Sequence, residues 1–254
     1  MRKGIVKNTL FGTFAELILR VSKLAFLSLL ARYTSTETYG LYVYAMSFVA
    51  LFGIFFDFGI NPIYLRNSVQ DNQEIVNSNY LILKSTLSSI GLLSLIIVSL
   101  FTLNGNARFI VILIGIYTLS SEFISFILIS LKARDKYKVE SLVRAVTSIT
   151  PLLGCICVLL ISKNFNFSIL TLAILSVFEL IPCLMFVNRF NFIDKNIPSI
   201  KIKRIFIQSL PVGVCVLLGA FYNNYDVIYL TSFKGLEEVA IYSVVVKLIF
   251  GISI

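Results

Sequence analysis

The stretch TETYGLYVYA, Thr36 to Ala45, sets an acidic residue, a glycine and tyrosines at the start of a long apolar run. A similar stretch, LEEVAIYSVV, returns at Leu236 to Val245. Their acidic positions are 237 − 37 = 200 residues apart, and at that offset four pairs fall in register: Glu37/Glu237, Gly40/Ala240, Leu41/Ile241 and Tyr42/Tyr242. The recurrence predicts an internally duplicated fold.

The composition indicates that lipid is the solvent of this chain. Of its 254 residues, 57% are hydrophobic and 14% are charged, whereas a soluble domain carries about 25% charged residues. Apolar segments of about 20 residues, which is the length that crosses a bilayer as a helix, recur throughout. We therefore expect an all-α integral membrane protein, a multi-span helical bundle with spans near 8–31, 39–60, 79–103, 108–131, 141–161, 167–188, 205–231 and 238–254.

The loop charges predict the orientation of the spans. Most lysines and arginines outside the spans lie in alternate connections, those that share a side with the N-terminus. Positive residues mark the cytoplasmic side, so we expect a multi-pass membrane protein with its N-terminus in the cytoplasm. Topology then accounts for the net charge of +9, and no nucleic-acid partner is expected.

The position of the repeat predicts the domain organisation. Six spans separate the two copies, so both cross the membrane in the same direction and form a parallel repeat. We expect a first six-span bundle over 1–190, a cytoplasmic linker over 191–204 and the first two spans of a second bundle over 205–254. Because the last apolar run is short, we also expect the second bundle to be C-terminally truncated.

The residue inventory excludes several kinds of chemistry. The chain has no histidine, its four cysteines all lie inside apolar runs, and no phosphate-binding glycine loop of the nucleotide-hydrolysing kind occurs. We therefore expect no enzyme activity, no cofactor and no metal site.

Charged residues inside the spans are the candidate functional groups, because each is costly in lipid and usually faces a cavity or a partner. Glu16, Arg20 and Lys23 follow one another at spacings of four and three, which places them on one helical face. That face either lines a cavity or forms a local ion pair with Lys23 extending outward. Other charged residues at membrane depth are Asp57, Lys84, Glu122, Arg144, Glu179, Asp226 and Lys247.

Three of these groups suggest particular roles. Glu122 and Glu179 lie deep in apolar runs and are either helix–helix hydrogen-bonding groups or proton or cation sites. Asp226 lies beside Asn223 in the polar centre of the seventh span, and the 200-residue offset brings that region opposite Lys23. We hypothesise that Lys23 and Asp226 approach each other between the two bundles.

Two motifs carry a resemblance to a known family. The first half contains E-x-x-G-x-Y at Glu37, Gly40 and Tyr42, followed by D-x-G at Asp57 and Gly59. The second half contains SLPVGVCVLLGAFYNNYDVIYLTSFKGLEEVAIYSVVVKLI over 209–249. The chain resembles the polysaccharide (O-antigen, capsule) flippases of the multidrug/oligosaccharidyl-lipid/polysaccharide exporter superfamily, which usually have twelve or more spans in two bundles.

The resemblance implies a function and roles for the charged residues. The expected location is the bacterial inner membrane. The expected substrate is an undecaprenyl-pyrophosphate-linked oligosaccharide, moved outward for polysaccharide or O-antigen biosynthesis. The expected partners are membrane lipid, a polysaccharide polymerase and a chain-length regulator. The substrate-binding candidates are Arg20, Lys23, Arg144, Asn223 and Lys247, and the ion-coupling candidates are Glu122, Glu179 and Asp226. The alternatives are a cation-coupled exporter of small solutes, a non-functional truncated transporter and a membrane-embedded sugar polymerase.

Overall fold

The computed structural model describes the backbone of residues 2–68, 73–133, 136–188 and 199–252. Within these ranges the chain is helical and contains no strand. The helices are α1 (Arg2–Tyr33), α2 (Thr36–Phe52), α3 (Ile54–Asp57), α4 (Ile60–Ser68), α5 (Gln73–Thr102), α6 (Gly105–Ala133), α7 (Tyr137–Ser162), α8 (Phe165–Asn188), α9 (Ser199–Lys234) and α10 (Leu236–Ile252).

The predicted class, an all-α multi-span membrane protein, is confirmed. In the described part of the chain, five helices are long and apolar enough to cross a bilayer, namely α5 to α9. A sixth crossing is formed if α2 and the α3–α4 segment count as one bent span. Helices α1 and α10 occupy the first and last predicted spans.

The opening stretch of the sequence forms the start of α2. Ser35 caps this helix, and its hydroxyl oxygen accepts a hydrogen bond from the Thr38 backbone N–H at 3.2 Å. Glu37 lies in the first turn, where a carboxylate is favoured by the helix dipole. The related stretch begins α10 in the same way, with Glu237 and Glu238 in its first turn.

The second span is broken, although the sequence predicts one continuous helix over 39–60. Helix α2 ends before Gly53, and α3 ends before Phe58 and Gly59, whose φ angles of 46° and 71° are left-handed. Glycine adopts that conformation without steric cost. The apolar run continues through the break, so hydropathy alone does not reveal it. The two parts of the span meet at 45°.

The core lies between two groups of helices. Helix α7 packs against α1 and α8, and α8 packs against α6. On the other side, α9 and α10 both pack against α2. A Cβ atom on Gly40 would collide with the Leu236 backbone at the start of α10, so the two repeated stretches meet directly.

The break in the second span is the other contact point with α9. The Phe58 ring stacks on Phe206, with centroids 5.5 Å apart and ring planes at 3°. The Asn67 amide donates to the Gln208 side-chain oxygen at 3.0 Å. The α3–α4 segment therefore contacts α9, the helix with which the predicted second bundle begins.

Candidate functional site

A buried lysine occupies the centre of the first bundle. The Lys84 side chain has no solvent exposure, and its ammonium donates to Asp57 Oδ1 at 2.9 Å and to Asn61 Oδ1 at 3.2 Å. Glu122 Oε2 lies 3.9 Å from the same nitrogen, which also sits 5.6 Å from the centre of the Phe126 ring. Four helices, α3 to α6, thus supply one charged cluster.

This cluster stabilises the break in the second span. Asp57 is the last residue of α3, and its Oδ1 also accepts from the Asn61 backbone N–H at 3.3 Å across the break. A charge held away from water is tolerated only when it is paired and hydrogen-bonded. Lys84 therefore ties the ends of α3 and α4 to α5.

Glu122 connects the buried cluster to more exposed charges. Its side chain is 33% exposed, and it lies within electrostatic range of Lys23 on α1 and Arg144 on α7 as well as of Lys84 and Asp57. Lys23 is itself exposed. The structure therefore brings three predicted site residues, Lys23, Glu122 and Arg144, into one region.

A second carboxylate positions Arg144. Glu140 is buried, and its Oε1 accepts from Arg144 Nε at 2.6 Å and lies 3.5 Å from Lys132 Nζ. The Arg144 side chain keeps 23% exposure, so these contacts do not enclose it completely.

The region carries a surplus of positive charge. These contacts connect four cations and three carboxylates, so the set carries one net positive charge. We call this set the charged site. Its members are Lys23, Lys84, Lys132 and Arg144 with Asp57, Glu122 and Glu140. Such a site, set among apolar helices, favours an anion that offers several acceptor oxygens.

Arg20 and Glu16 form the local ion pair that the sequence allowed, with Arg20 Nη2 3.0 Å from Glu16 Oε1. Both side chains remain well exposed, at 42% and 63%. The pair therefore leaves the face that carries Lys23 open.

The polar centre of α9 lies apart from the charged site. Asp226 Oδ2 accepts from the Tyr242 hydroxyl of α10, and its Oδ1 accepts from the Val227 backbone N–H at 2.9 Å. Asn223 is exposed and donates to the Gly219 carbonyl at 2.8 Å. No ion pair joins Lys23 to Asp226 among the described side chains, so the hypothesised pairing is not observed. Instead, Asp226 is bonded to Tyr242 on the adjacent helix.

Two predicted residues remain. Glu179 lies in an apolar cleft between α6, α7 and α8, and no ion pair joins it to the described residues of the charged site. The side chain of Lys247 falls outside the described residues.

Sequence reasoning placed Lys84 at membrane depth without giving it a role, and it missed Glu140 and Asn61. A lysine in the middle of an apolar run is a signal for a buried ion pair. The spacing of four residues between Glu140 and Arg144 is a helical ion-pair signal that was available in the sequence.

Comparisons with known proteins agree with this architecture. A family model described as "Polysaccharide biosynthesis protein" matches residues 5–254. One solved chain, named "protein A", superposes with a TM-score of 0.66 and 16% identity, over 100% of this chain and 62% of its own length.

A second solved structure is described as the outward-facing conformation of a multidrug resistance MATE family transporter of the MOP superfamily. It superposes with a TM-score of 0.58 and 17% identity, over 95% of this chain and 58% of its own length. The chain thus spans about three fifths of each neighbour. No curated protein matches it.

Proposed function

The chain belongs to the polysaccharide biosynthesis protein family, and from that premise we propose that it takes part in moving a lipid-linked oligosaccharide across the bacterial inner membrane. The substrate is a polyprenyl pyrophosphate carrying a short sugar chain. The N-terminus and the basic loops lie in the cytoplasm, where that substrate is made.

The observation that carries the proposal is the positive surplus of the charged site. A pyrophosphate cannot enter hydrocarbon without groups that replace its water. Arg144 offers a planar fork of donors, and Lys23 offers an exposed ammonium on the neighbouring α1. Arg20, on the same face of α1, and Asn223 and Lys247, from the second repeat, complete the proposed binding set.

The contacts between the repeats support a carrier that moves by rocking. The two stretches around Gly40 and Leu236 touch each other, and the stacked Phe58 and Phe206 rings form a second contact. Separating one contact while keeping the other would open the space between bundles to one side at a time. Glu122, Glu179 and Asp226 are the groups proposed to couple this motion to an ion.

The transported oligosaccharide would then be the substrate of a polysaccharide polymerase. A chain-length regulator would set the length of the polysaccharide. The sugars stay in the polar space between the bundles, while the polyprenyl tail remains in lipid. Neither step requires the chain to break a covalent bond, in keeping with a transporter.

A second candidate function is the export of small cationic solutes, coupled to a cation. Helix α9 carries an aromatic row, Tyr225, Tyr229 and Phe233, with successive centroids 5.9 Å and 4.6 Å apart, beside the Asp226 carboxylate. Aromatic faces and a carboxylate together attract organic cations. Asp226→Asn would then abolish drug resistance while leaving surface glycan unchanged.

Complementation tests the main proposal. The protein is expressed in cells that lack their own polysaccharide flippase, and surface glycan is measured. We expect Lys23→Gln and Arg144→Gln to lower the glycan signal, while Lys203→Gln, which changes an exposed lysine at the start of α9, leaves it unchanged. Equal signal from all four proteins would contradict the proposed site.

A further inference from the structure

An apolar cleft opens on the side of the first bundle, within the half that carries the basic loops. Its volume is about 330 Å³. The walls include Leu128 and Leu131 from α6, Val143 and Val146 from α7, and Pro182 from α8. Val146 is 60% exposed, so the cleft opens on the outer surface of the helices, where lipid would lie.

One carboxyl group, that of Glu179, lines this cleft. Both of its oxygens are covered by neighbouring atoms, and neither has a hydrogen-bond partner among the described residues. Glu179 lies nine residues before the end of α8, which is about 13 Å along the helix axis. The carboxyl group is therefore held well inside the membrane.

The polar group beside Glu179 is suited to the protonated acid. The Thr150 hydroxyl faces it and already donates its hydrogen to the Val146 carbonyl at 2.8 Å. That hydroxyl can still accept a hydrogen bond, and a protonated carboxyl group can donate one. Among the described residues, neither carboxyl oxygen of Glu179 has a hydrogen-bond partner in this structure.

Among the described residues, no cation compensates the charge that an ionised Glu179 would carry. The titratable groups that face it are Tyr117 from α6 and Cys183 from α8, and α7 presents Thr150. Glu122, by contrast, has Lys84, and Glu140 has Arg144. A carboxylate without a cation or donors in an apolar site is costly, and the group avoids that cost by binding a proton.

We propose that this cleft is a proton-binding site. Glu179 binds the proton there as a neutral carboxylic acid, and its O–H group donates a hydrogen bond to the Thr150 hydroxyl oxygen. The inference rests on the proposed transport function and deepens it. The coupling ion is a proton, and it binds on α8 rather than at Glu122 or Asp226. Release of the proton requires movement of α7 or α8 that admits water or a cation to the cleft.

Labelling with dicyclohexylcarbodiimide, an apolar reagent, tests the proposal on the purified full chain in lipid vesicles. The protonated acid adds across one C=N bond of the reagent, so its oxygen bonds to the central carbon and its proton moves to nitrogen. A shift of the acyl group to nitrogen then gives a stable adduct, with no oxidant and no leaving group. Peptide mass spectrometry identifies the labelled residue.

We expect the adduct on Glu179, with a yield that falls as pH rises. Glu179→Gln loses the adduct, and Glu122→Gln, which alters a carboxyl group paired with Lys84, keeps it on Glu179. Because the wild-type chain itself reports the labelled position and its pH dependence, the test does not depend on how Glu179→Gln folds. Labelling confined to other carboxyl groups, or unchanged across the pH range, would overturn the proposal.

The outcome is separable from that of the transport proposal. A pH-dependent adduct on Glu179 in a chain that fails to restore surface glycan would contradict the substrate and leave the proton site standing. Restoration of surface glycan by a chain that forms no such adduct would support the transport proposal and contradict the proton site. In the complementing cells, Glu179→Gln should transport at a rate that no longer responds to external pH.

Discussion

Replacing Lys84 with methionine tests whether the buried ammonium stabilises the broken second span. Methionine keeps the unbranched stem and removes the charge. Asp57 then loses its donor at 2.9 Å, and Glu122 loses its nearest opposite charge at 3.9 Å. Removing one partner of a buried pair costs about 3–5 kcal/mol, because the other charge is left uncompensated. Asp57 and Glu122 retain 19% and 33% exposure, so the lower end, about 3 kcal/mol, is expected.

The assay is thermal unfolding in detergent. The chain has no tryptophan, so a fluorogenic thiol reagent reports unfolding through buried Cys155 and Cys183, with exposed Cys157 and Cys215 replaced by serine in every variant. At about 2–4 °C per kcal/mol for a chain of roughly this length, Lys84→Met should lower Tm by about 6–12 °C.

Two further variants make this result specific. Lys203→Met applies the same substitution to an exposed lysine of α9 and should change stability by less than about 0.5 kcal/mol. Adding Asp57→Asn to Lys84→Met should cost less than the sum of the two single changes, because they remove the same pair. A Tm for Lys84→Met equal to that of the parent, or strict additivity in the double variant, would refute the reasoning.

Three other substitutions test separate contacts. Gly40→Ala should destabilise the chain by about 1–3 kcal/mol, because the added Cβ collides with the Leu236 backbone. Gly219 has open space around it, so Gly219→Ala should be neutral or stabilising by up to about 1 kcal/mol. Equal Tm shifts for the two variants would contradict the α2–α10 contact. Tyr242→Phe removes the donor to Asp226 and should cost about 1 kcal/mol at this exposed position, while Tyr225→Phe should cost nothing measurable by the same unfolding assay. Glu140→Gln should lower surface glycan as Arg144→Gln does. The double variant should be no worse than either single variant, because both changes remove the same ion pair. A fully additive loss would show that Glu140 acts elsewhere.

The sequence predicted the helices well because hydropathy and loop charge act locally. The span predicted over 39–60 begins within α2 (Thr36–Phe52), whereas the Ser35 cap and the Glu140–Arg144 pair were not predicted, although their spacing is present in the sequence. The break at Phe58 and Gly59 did not follow, because its apolar residues read as a continuous span.

The partners of buried charges were the least predictable feature. Lys84 pairs with Asp57, 27 residues earlier, and approaches Glu122 on another helix, so only packing reveals the cluster. The 200-residue repeat aligned Lys23 with Asn223 and led to the hypothesis that Lys23 approaches Asp226, yet Asp226 is bonded to Tyr242. A repeat relates positions in the fold and does not select among the side chains that reach them.

The central claim is that the charged face of α1 looks into a water-accessible space between helices. Single cysteines at Lys23 and Val21 test it in a background without the four native cysteines, with reaction rates toward a charged maleimide measured in membrane vesicles. Val21 is 63% exposed and lies two residues from Lys23, about 200° around the helix, on the opposite face of α1. The account predicts rapid labelling of Lys23→Cys and little labelling of Val21→Cys. Labelling of Val21→Cys with Lys23→Cys unreactive would contradict it.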